Sequence, residues 1–322
     1  MNAQPSFIPR VSIVVTAYNG RAWIDRALRS ALQQTHANIE VIVVDDASTD
    51  GTWDYVQQHY GGNVRLLRNE TNRGPSASRN RAIDAASGDW FMQLDGDDWI
   101  APNRAEHLLQ LAATTRAAIV ADDQLLVMDG TDAPIGTNFI ANGLARRRYE
   151  ALSIEQFVRR DLGYLKPMIQ LSLLRTSGIR YPEHIRYGED FVFLYSLLLY
   201  GATFSISPEL LYFMRRGNTG SLTTQRDPLF QQVIATTETL LSEAQAHNQT
   251  QIVAALQARI KQLQTLQRGE RIIGQLRARR PFAVLDVGPL VGKIRHRIAA
   301  QIRLALLLRH EGQAIQRRLA SA

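Results

Sequence analysis

Aliphatic and β-branched residues gather in short runs along the first 130 positions, with amphipathic stretches between them. The runs are VSIVVT (11–16), IEVIVV (39–44), VRLLR (64–68), DWFMQLD (89–95) and AAIVADDQLLVM (117–128). They are continuous rather than strictly alternating, which predicts strands buried on both faces. Between them, RAWIDRALRSALQQ (21–34) sets Trp23, Ile24, Ala27, Leu28, Ala31 and Leu32 at helical spacing. TWDYVQQHY (52–60), NRGPSASRNRAIDAASG (72–88) and RAEHLLQLAATT (104–115) supply three more helices. Strands alternating with helices predict an α/β fold with a mostly parallel central sheet covered on both faces. In such a sheet, ligands bind beyond the carboxyl ends of the strands.

Those ends are polar. The first run closes on Thr16-Ala17-Tyr18-Asn19, the second on Asp45-Asp46-Ala47-Ser48, and the fourth on Asp95-Gly96-Asp97-Asp98. Taken singly, each is ordinary turn and cap chemistry. Taken together they bring two acidic clusters to one edge, where their repulsion needs an answer. A bound divalent cation is one answer. Magnesium or manganese typically shares one or two carboxylates with substrate phosphates, so the pattern predicts a metal that holds a diphosphate. Asp98 carries two readings, a metal ligand or a cap for the helix region that follows.

Composition removes several classes. The chain has 322 residues and no cysteine, which excludes disulfides, thiolate metal sites and cysteine nucleophiles. No signal peptide or membrane-spanning stretch is evident, so a cytoplasmic protein is expected, with a peripheral place at the inner face of the cell membrane as a variant. The net charge of +7 is uneven: residues 1–250 carry 23 Lys and Arg against 27 Asp and Glu, and residues 251–322 carry 14 against 3. The basic character belongs to the tail. Its arginines alternate with Ile and Leu in helical segments, which fits an anionic membrane surface, helical self-association or a solvated tail. Nucleic acid is not expected, because no aromatic platform accompanies the arginines.

VSIVVTAYNG, ALQQTHANIEVIVVDDASTDGT, NRGPSASRNRAIDAASGDWFMQLDGDDW and YGEDFVFLYSLL together resemble the family 2 inverting glycosyltransferases of the GT-A fold. The likeness is dense over 11–130 and thinner over 165–225. It implies a catalytic domain over 1–227, with a nucleotide-binding half (11–130) and an acceptor half (131–227), followed by a basic helical extension over 228–322. It implies transfer of a sugar from a UDP-sugar donor to a glycan or lipid-linked acceptor in polysaccharide biosynthesis. Thr16 and Tyr18 resemble the residues at the base and ribose, with Ala17 and Asn19 beside them. Asp46 resembles the uracil-reading carboxylate, with Asp45 beside it as nucleotide contact or loop holder. Arg79 resembles the basic residue near the phosphates, and Asp95 the carboxylate facing the ribose. The resemblance assigns the manganese or magnesium ion to Asp97 and Asp95. Asp190 resembles the general base, and Glu189 its support. Arg215, Arg216 and Ser221 fall where relatives carry a basic loop over the diphosphate. Two alternatives stand beside this reading, a non-catalytic nucleotide-sugar-binding protein and a sugar nucleotidyltransferase. The oligomeric state is open.

Overall fold

The computed structural model describes residues 8–217, 226–277 and 288–321. The strands are β1 (Val11–Ala17), β2 (Ile39–Asp45), β3 (Arg65–Arg68), β4 (Trp90–Asp95), β5 (Trp99–Ile100), β6 (Ile119–Met128), β7 (Pro134–Thr137), β8 (Met168–Gln170) and β9 (Phe204–Arg216). The helices are α1 (Ile24–Leu32), α2 (Thr52–Tyr60), α3 (Pro75–Ala85), α4 (Arg104–Thr115), α5 (Asn138–Ala141), α6 (Ile154–Arg159), α7 (Leu171–Ser177), α8 (Glu189–Leu199), α9 (Arg226–Ala246), α10 (Thr250–Arg277) and α11 (Gly288–Ser321).

One sheet runs β3-β2-β1-β4-β8-β6-β9-β5, with β7 paired to β6. The first four strands are parallel, as their unbroken apolar runs require. Beyond them the sheet is mixed: β8 is antiparallel to both β4 and β6, and β6 is parallel to β9. The register lays Thr16 beside Asp95 and Ala17 beside Asp45, so three strand ends finish level along one edge. One face packs the even-numbered core residues of β1 and β2, Val14, Ile42 and Val44, against α3, α6, α8, α9 and α10. The other packs Ile13, Val15, Val41 and Val43 against α1 and α4. A third cluster seats Leu304, Leu307, Ile315 and Leu319 of α11 on Trp99, Leu211 and Phe213. The basic C-terminal helices are thus built into the core along one side.

Residues 211–216 lie in β9 rather than in a loop. The reason is the register with β6: residues 210–216 pair with Asp123–Met128 after register irregularities around Pro208, inside the strand. Ser221 lies outside the described residues.

Two glycines set the start of α8, the helix that carries the acidic pair. Gly188 sits just before it with φ at +85°, in the left-handed region, and Val233 of α9 closes over it. Gly163, in a single 3-10 turn Leu162–Tyr164, lies flat on Phe191: a β-carbon there would come 2.6 Å from Phe191 Cβ and 2.7 Å from its Cα. Gly163→Ala should therefore push α8 away and lower stability by about 1–3 kcal/mol, the usual cost of overpacking. Urea unfolding of the variant and the wild type measures this directly.

Candidate active site

The level strand ends and the start of α8 enclose a cleft of about 830 Å³. Thr16, Ala17, Tyr18, Asn19, Asp46, Arg79, Asp95, Asp97, Glu189, Asp190, Arg215 and Arg216 all line it. Asp45 does not: it is buried behind the edge, where Oδ2 accepts from the Ser48 amide at 3.1 Å and faces Arg68 at 3.5 Å. That carboxylate holds the turn after β2. Asn19 is also spent on the turn, since its Oδ1 accepts from the Thr49 amide at 2.9 Å.

Asp46 shapes the cleft beside β2. Its Oδ1 accepts from Asn69 Nδ2 (2.7 Å) and the Arg73 amide (3.0 Å), and its Oδ2 from the Gly74 amide (2.7 Å). The carboxylate fixes the 72–74 loop leading into α3. Asp46 lines the cleft, and its Oδ2, which accepts one hydrogen bond from the chain, can accept a second. Tyr18, half exposed, stands across from it on the cleft lining.

The middle of the cleft is a buried charge network. Arg79 projects from α3 and is almost wholly buried. Its Nη2 meets Asp95 Oδ1 at 3.1 Å, while Nη1 meets Glu189 Oε1 at 2.9 Å and Asp190 Oδ1 at 3.2 Å. Lys166, just before β8, places Nζ 2.9 Å from Asp95 Oδ2 and 2.8 Å from Asp190 Oδ2. Gln93, with its amide turned to satisfy both ends, accepts from Arg79 Nε at 2.8 Å and donates to the Tyr181 hydroxyl at 3.0 Å. Burial works against the charge on Asp95, but Lys166 and Arg79 overcome it and hold that carboxyl well below the usual range. For Glu189, burial and the neighbouring Asp190 prevail over Arg79 and push the carboxyl up. Burial opposes the charge on Arg79 as well, and Asp190, Asp95 and Glu189 more than restore it.

Asp98 is not a helix cap; it lines the cleft with both its oxygens engaged by β9. The helix it was expected to cap, α4, starts after Asn103 with no side-chain cap. Instead Asp98 Oδ1 accepts from the Arg215 amide and Oδ2 from the Tyr212 hydroxyl, both at 2.8 Å. The carboxylate ties the 95–98 turn to β9. Burial, then the charges of Asp97 and Asp95, push its carboxyl well up. Arg215 completes the tie, donating from Nε to the Asp97 carbonyl (2.9 Å) and from Nη1 to Asp129 (2.8 Å). A guanidinium so committed supports the turn while it lines the cleft beside Arg216.

Among the described residues, no group of three His, Asp or Glu side chains surrounds a metal position. Asp95 has each oxygen against a cation, Arg79 or Lys166. Asp97 is half buried and lines the cleft from the same turn. One carboxylate beside room for a diphosphate suits magnesium or manganese, which takes its remaining ligands from phosphate oxygens and water.

The opposite end of the cleft is lined by Tyr164, Ile185, Tyr187, Phe191, Leu229 and Val233. Arg259 of α10 lies behind them, its guanidinium 3.7 Å from the centre of the Phe191 ring and 2.9 Å from Asp161. Sequence reasoning missed Arg259 and Lys166. Arg259 read as one more arginine on an amphipathic helix. Lys166 had one signal: it is one of three lysines in a chain with 34 arginines. The arginines of 144–160 are not part of the cleft; Arg146, for example, pairs with Glu311 of α11. His184 is exposed.

Residues 12–159 match the family described as glycosyl transferase family 2. The succinoglycan biosynthesis protein ExoO of Rhizobium meliloti (strain 1021) is 34% identical over 222 residues, covering 66% of this chain and 62% of ExoO. ExoU of the same organism is 31% identical over 214 residues, covering 61% and 59%. The chain thus spans about three-fifths of the length of these two relatives. Among solved structures, S. aureus TarS 1-349 in complex with UDP-GlcNAc superposes with a TM-score of 0.63 at 20% identity, over 78% of this chain and 72% of that one. A second crystal structure of TarS 1-349 gives 0.63 at 21% identity, over 95% and 87%. At such identities the likeness establishes the fold, a GT-A sheet with C-terminal helices.

Proposed function

From the match of residues 12–159 to glycosyl transferase family 2, we propose that the chain transfers a sugar from a UDP-sugar to a glycan or lipid-linked acceptor, with inversion, in polysaccharide assembly. The observation that carries this reading is the placing of Asp95 and Asp97 on one wall of the cleft and Asp190 on the facing one, with two cations between. ExoO and ExoU, named for succinoglycan biosynthesis, and the UDP-GlcNAc complex of TarS support the choice of product class and donor.

The donor base and ribose lie along Thr16, Ala17, Tyr18 and Asn19, with Asp46 Oδ2 accepting the base N–H. Asp97 would hold a manganese or magnesium ion, which supplies Lewis-acid stabilisation to the leaving diphosphate. Asp95, kept ionised by Arg79 and Lys166, faces the ribose. Arg216, on the cleft lining, faces the phosphates, and Arg215 keeps the turn in place. On the other wall, Asp190 takes the proton of the acceptor hydroxyl as general base. The acceptor oxygen then bonds the anomeric carbon while the bond to the diphosphate breaks on the opposite face. Glu189, pushed toward its neutral form, supports the acceptor as a hydrogen-bond donor or acceptor. Residues 1–227 hold these groups, and α9 and α10 close the acceptor end.

The tail suits an anionic membrane surface. α11 buries Leu304, Leu307, Ile315 and Leu319 but leaves Ile298, Ile302 and Leu306 at 50–57% exposure, one turn apart. Arg303 and Arg309 flank that stripe and are exposed too. An apolar stripe edged with arginine matches lipid of negative charge. Among the described residues, no helix is long and apolar enough to cross a membrane.

Three outcomes are expected. Asp190→Asn should keep UDP affinity and lose about 10²–10⁴-fold in turnover, with Glu189→Gln milder; transfer kinetics and calorimetry read both. If both variants turn over normally, the base lies elsewhere and inversion loses its support. Asp97→Ala should abolish the gain in UDP binding on adding manganese, while the wild type prefers UDP to ADP. Equal affinity for the two nucleotides would remove Asp46 as the base reader. Finally, the protein should co-sediment with phosphatidylglycerol vesicles and not with phosphatidylcholine vesicles, and Ile302→Asp should release it. Binding that ignores the substitution, or a concentration-dependent dimer that it dissolves, would assign the stripe otherwise.

A further inference from the structure

Lys166 occupies a position that the roles above leave unexplained. It projects into the cleft from the segment between the 3-10 turn and β8, and its side chain is 7% exposed. The backbone beneath it is pinned: its carbonyl accepts from the Arg104 guanidinium, which pairs with Asp122 at 2.7 Å in full burial. Lys166 Nζ is therefore held near one point, 2.8 Å from Asp190 Oδ2.

The two oxygens of Asp190 differ. Oδ2 receives the lysine N–H. Oδ1 is buried and receives no hydrogen bond, although Arg79 Nη1 lies 3.2 Å away outside hydrogen-bonding alignment. A buried carboxylate oxygen without a donor is costly unless a donor arrives when the site is filled. Asp190 lines the cleft on the acceptor side, so the donor that fits is a hydroxyl. Arg79 does not do the work of Lys166, because its planar group is already shared among Asp95, Glu189 and Gln93.

We propose that Lys166 is a positioning residue of the transfer reaction: it holds Asp190 by Oδ2 and thereby turns Oδ1 toward the acceptor hydroxyl. This rests on the reading of Asp190 as the base. In the step itself, the hydroxyl proton passes to Oδ1 and the acceptor oxygen bonds the anomeric carbon. The bond from that carbon to the diphosphate breaks with its electron pair on the leaving group. Lys166 keeps its proton throughout.

Lys166 also touches Asp95, so a role on the donor side is the rival, and the experiment separates the two. K166M, K166Q and K166R are made in the full chain and again with D190N. Melting temperature, UDP affinity, kcat and acceptor KM are measured for each. K166M should lower kcat by about 10–100-fold, the scale on which misplacing a reacting group costs rate, with UDP affinity within threefold of wild type. K166R, which keeps a cationic donor, should recover most of the loss. With D190N present, K166M should lower the residual rate less than twofold, because the oxygen it positions no longer accepts the proton. The proposal is overturned if the loss falls on UDP affinity instead of kcat, or if K166M costs as much with D190N as without it. A fully active D190N would instead remove the base reading itself, whatever Lys166 does. Should K166M fail to fold, K166Q, which keeps an N–H donor without charge, carries the same comparison.

Discussion

Like charge gathered at one edge of a sheet is the constraint that the rest of this molecule answers. Asp95 ends β4 and the Glu189–Asp190 pair begins α8, and the fold presses all three largely buried carboxylates together. A buried charge without a partner costs several kcal/mol, so such a group persists only where counter-ions are built in. Arg79 and Lys166 are those counter-ions, and each touches both walls of the cleft. Electrostatic compensation and wall spacing are thereby one feature. Beneath it, the Arg104–Asp122 pair and the Asp98 contacts to β9 repeat the same solution, holding the chain segments that carry Lys166 and the 95–98 turn.

Much of this was open to reading from the chain alone, and the physics says which parts. Strands β1 to β4 and helices α2, α4 and α8 are contiguous apolar or amphipathic segments, and their residues announced them. The level strand ends followed from a parallel sheet, which puts all its carboxyl ends at one edge. Strands β5, β7 and β8 have two to four residues, too few to display a period. Strand β9 hid behind Pro208 and a register irregularity, so Arg215 was assigned to a loop when it is a brace.

Within the site, acidic residues were legible because they cluster in sequence, and their counter-ions were not. Arg79 was found through the company it keeps in NRGPSASRNRAI. Lys166 and Arg259 come from segments with no motif, and only folding brings them to Asp190 and Phe191. Asp45 and Asp46 show the complementary limit. Adjacent and identical in type, they point to different sides of a strand end, one into the turn and one toward the cleft.

The two walls of the cleft are also written into the chain in different ways. One comes from strand ends and the turns after them within residues 16–98, whose side chains are spaced by the sheet itself. The other is assembled from fragments at 161–166, 183–191, 214–216, 229–233 and 259. Exchanging the helices after 226 would replace Leu229, Val233 and Arg259 while every strand end stayed as it was. A lineage built on this plan can reshape one wall of the cleft while the strand-end wall keeps its geometry.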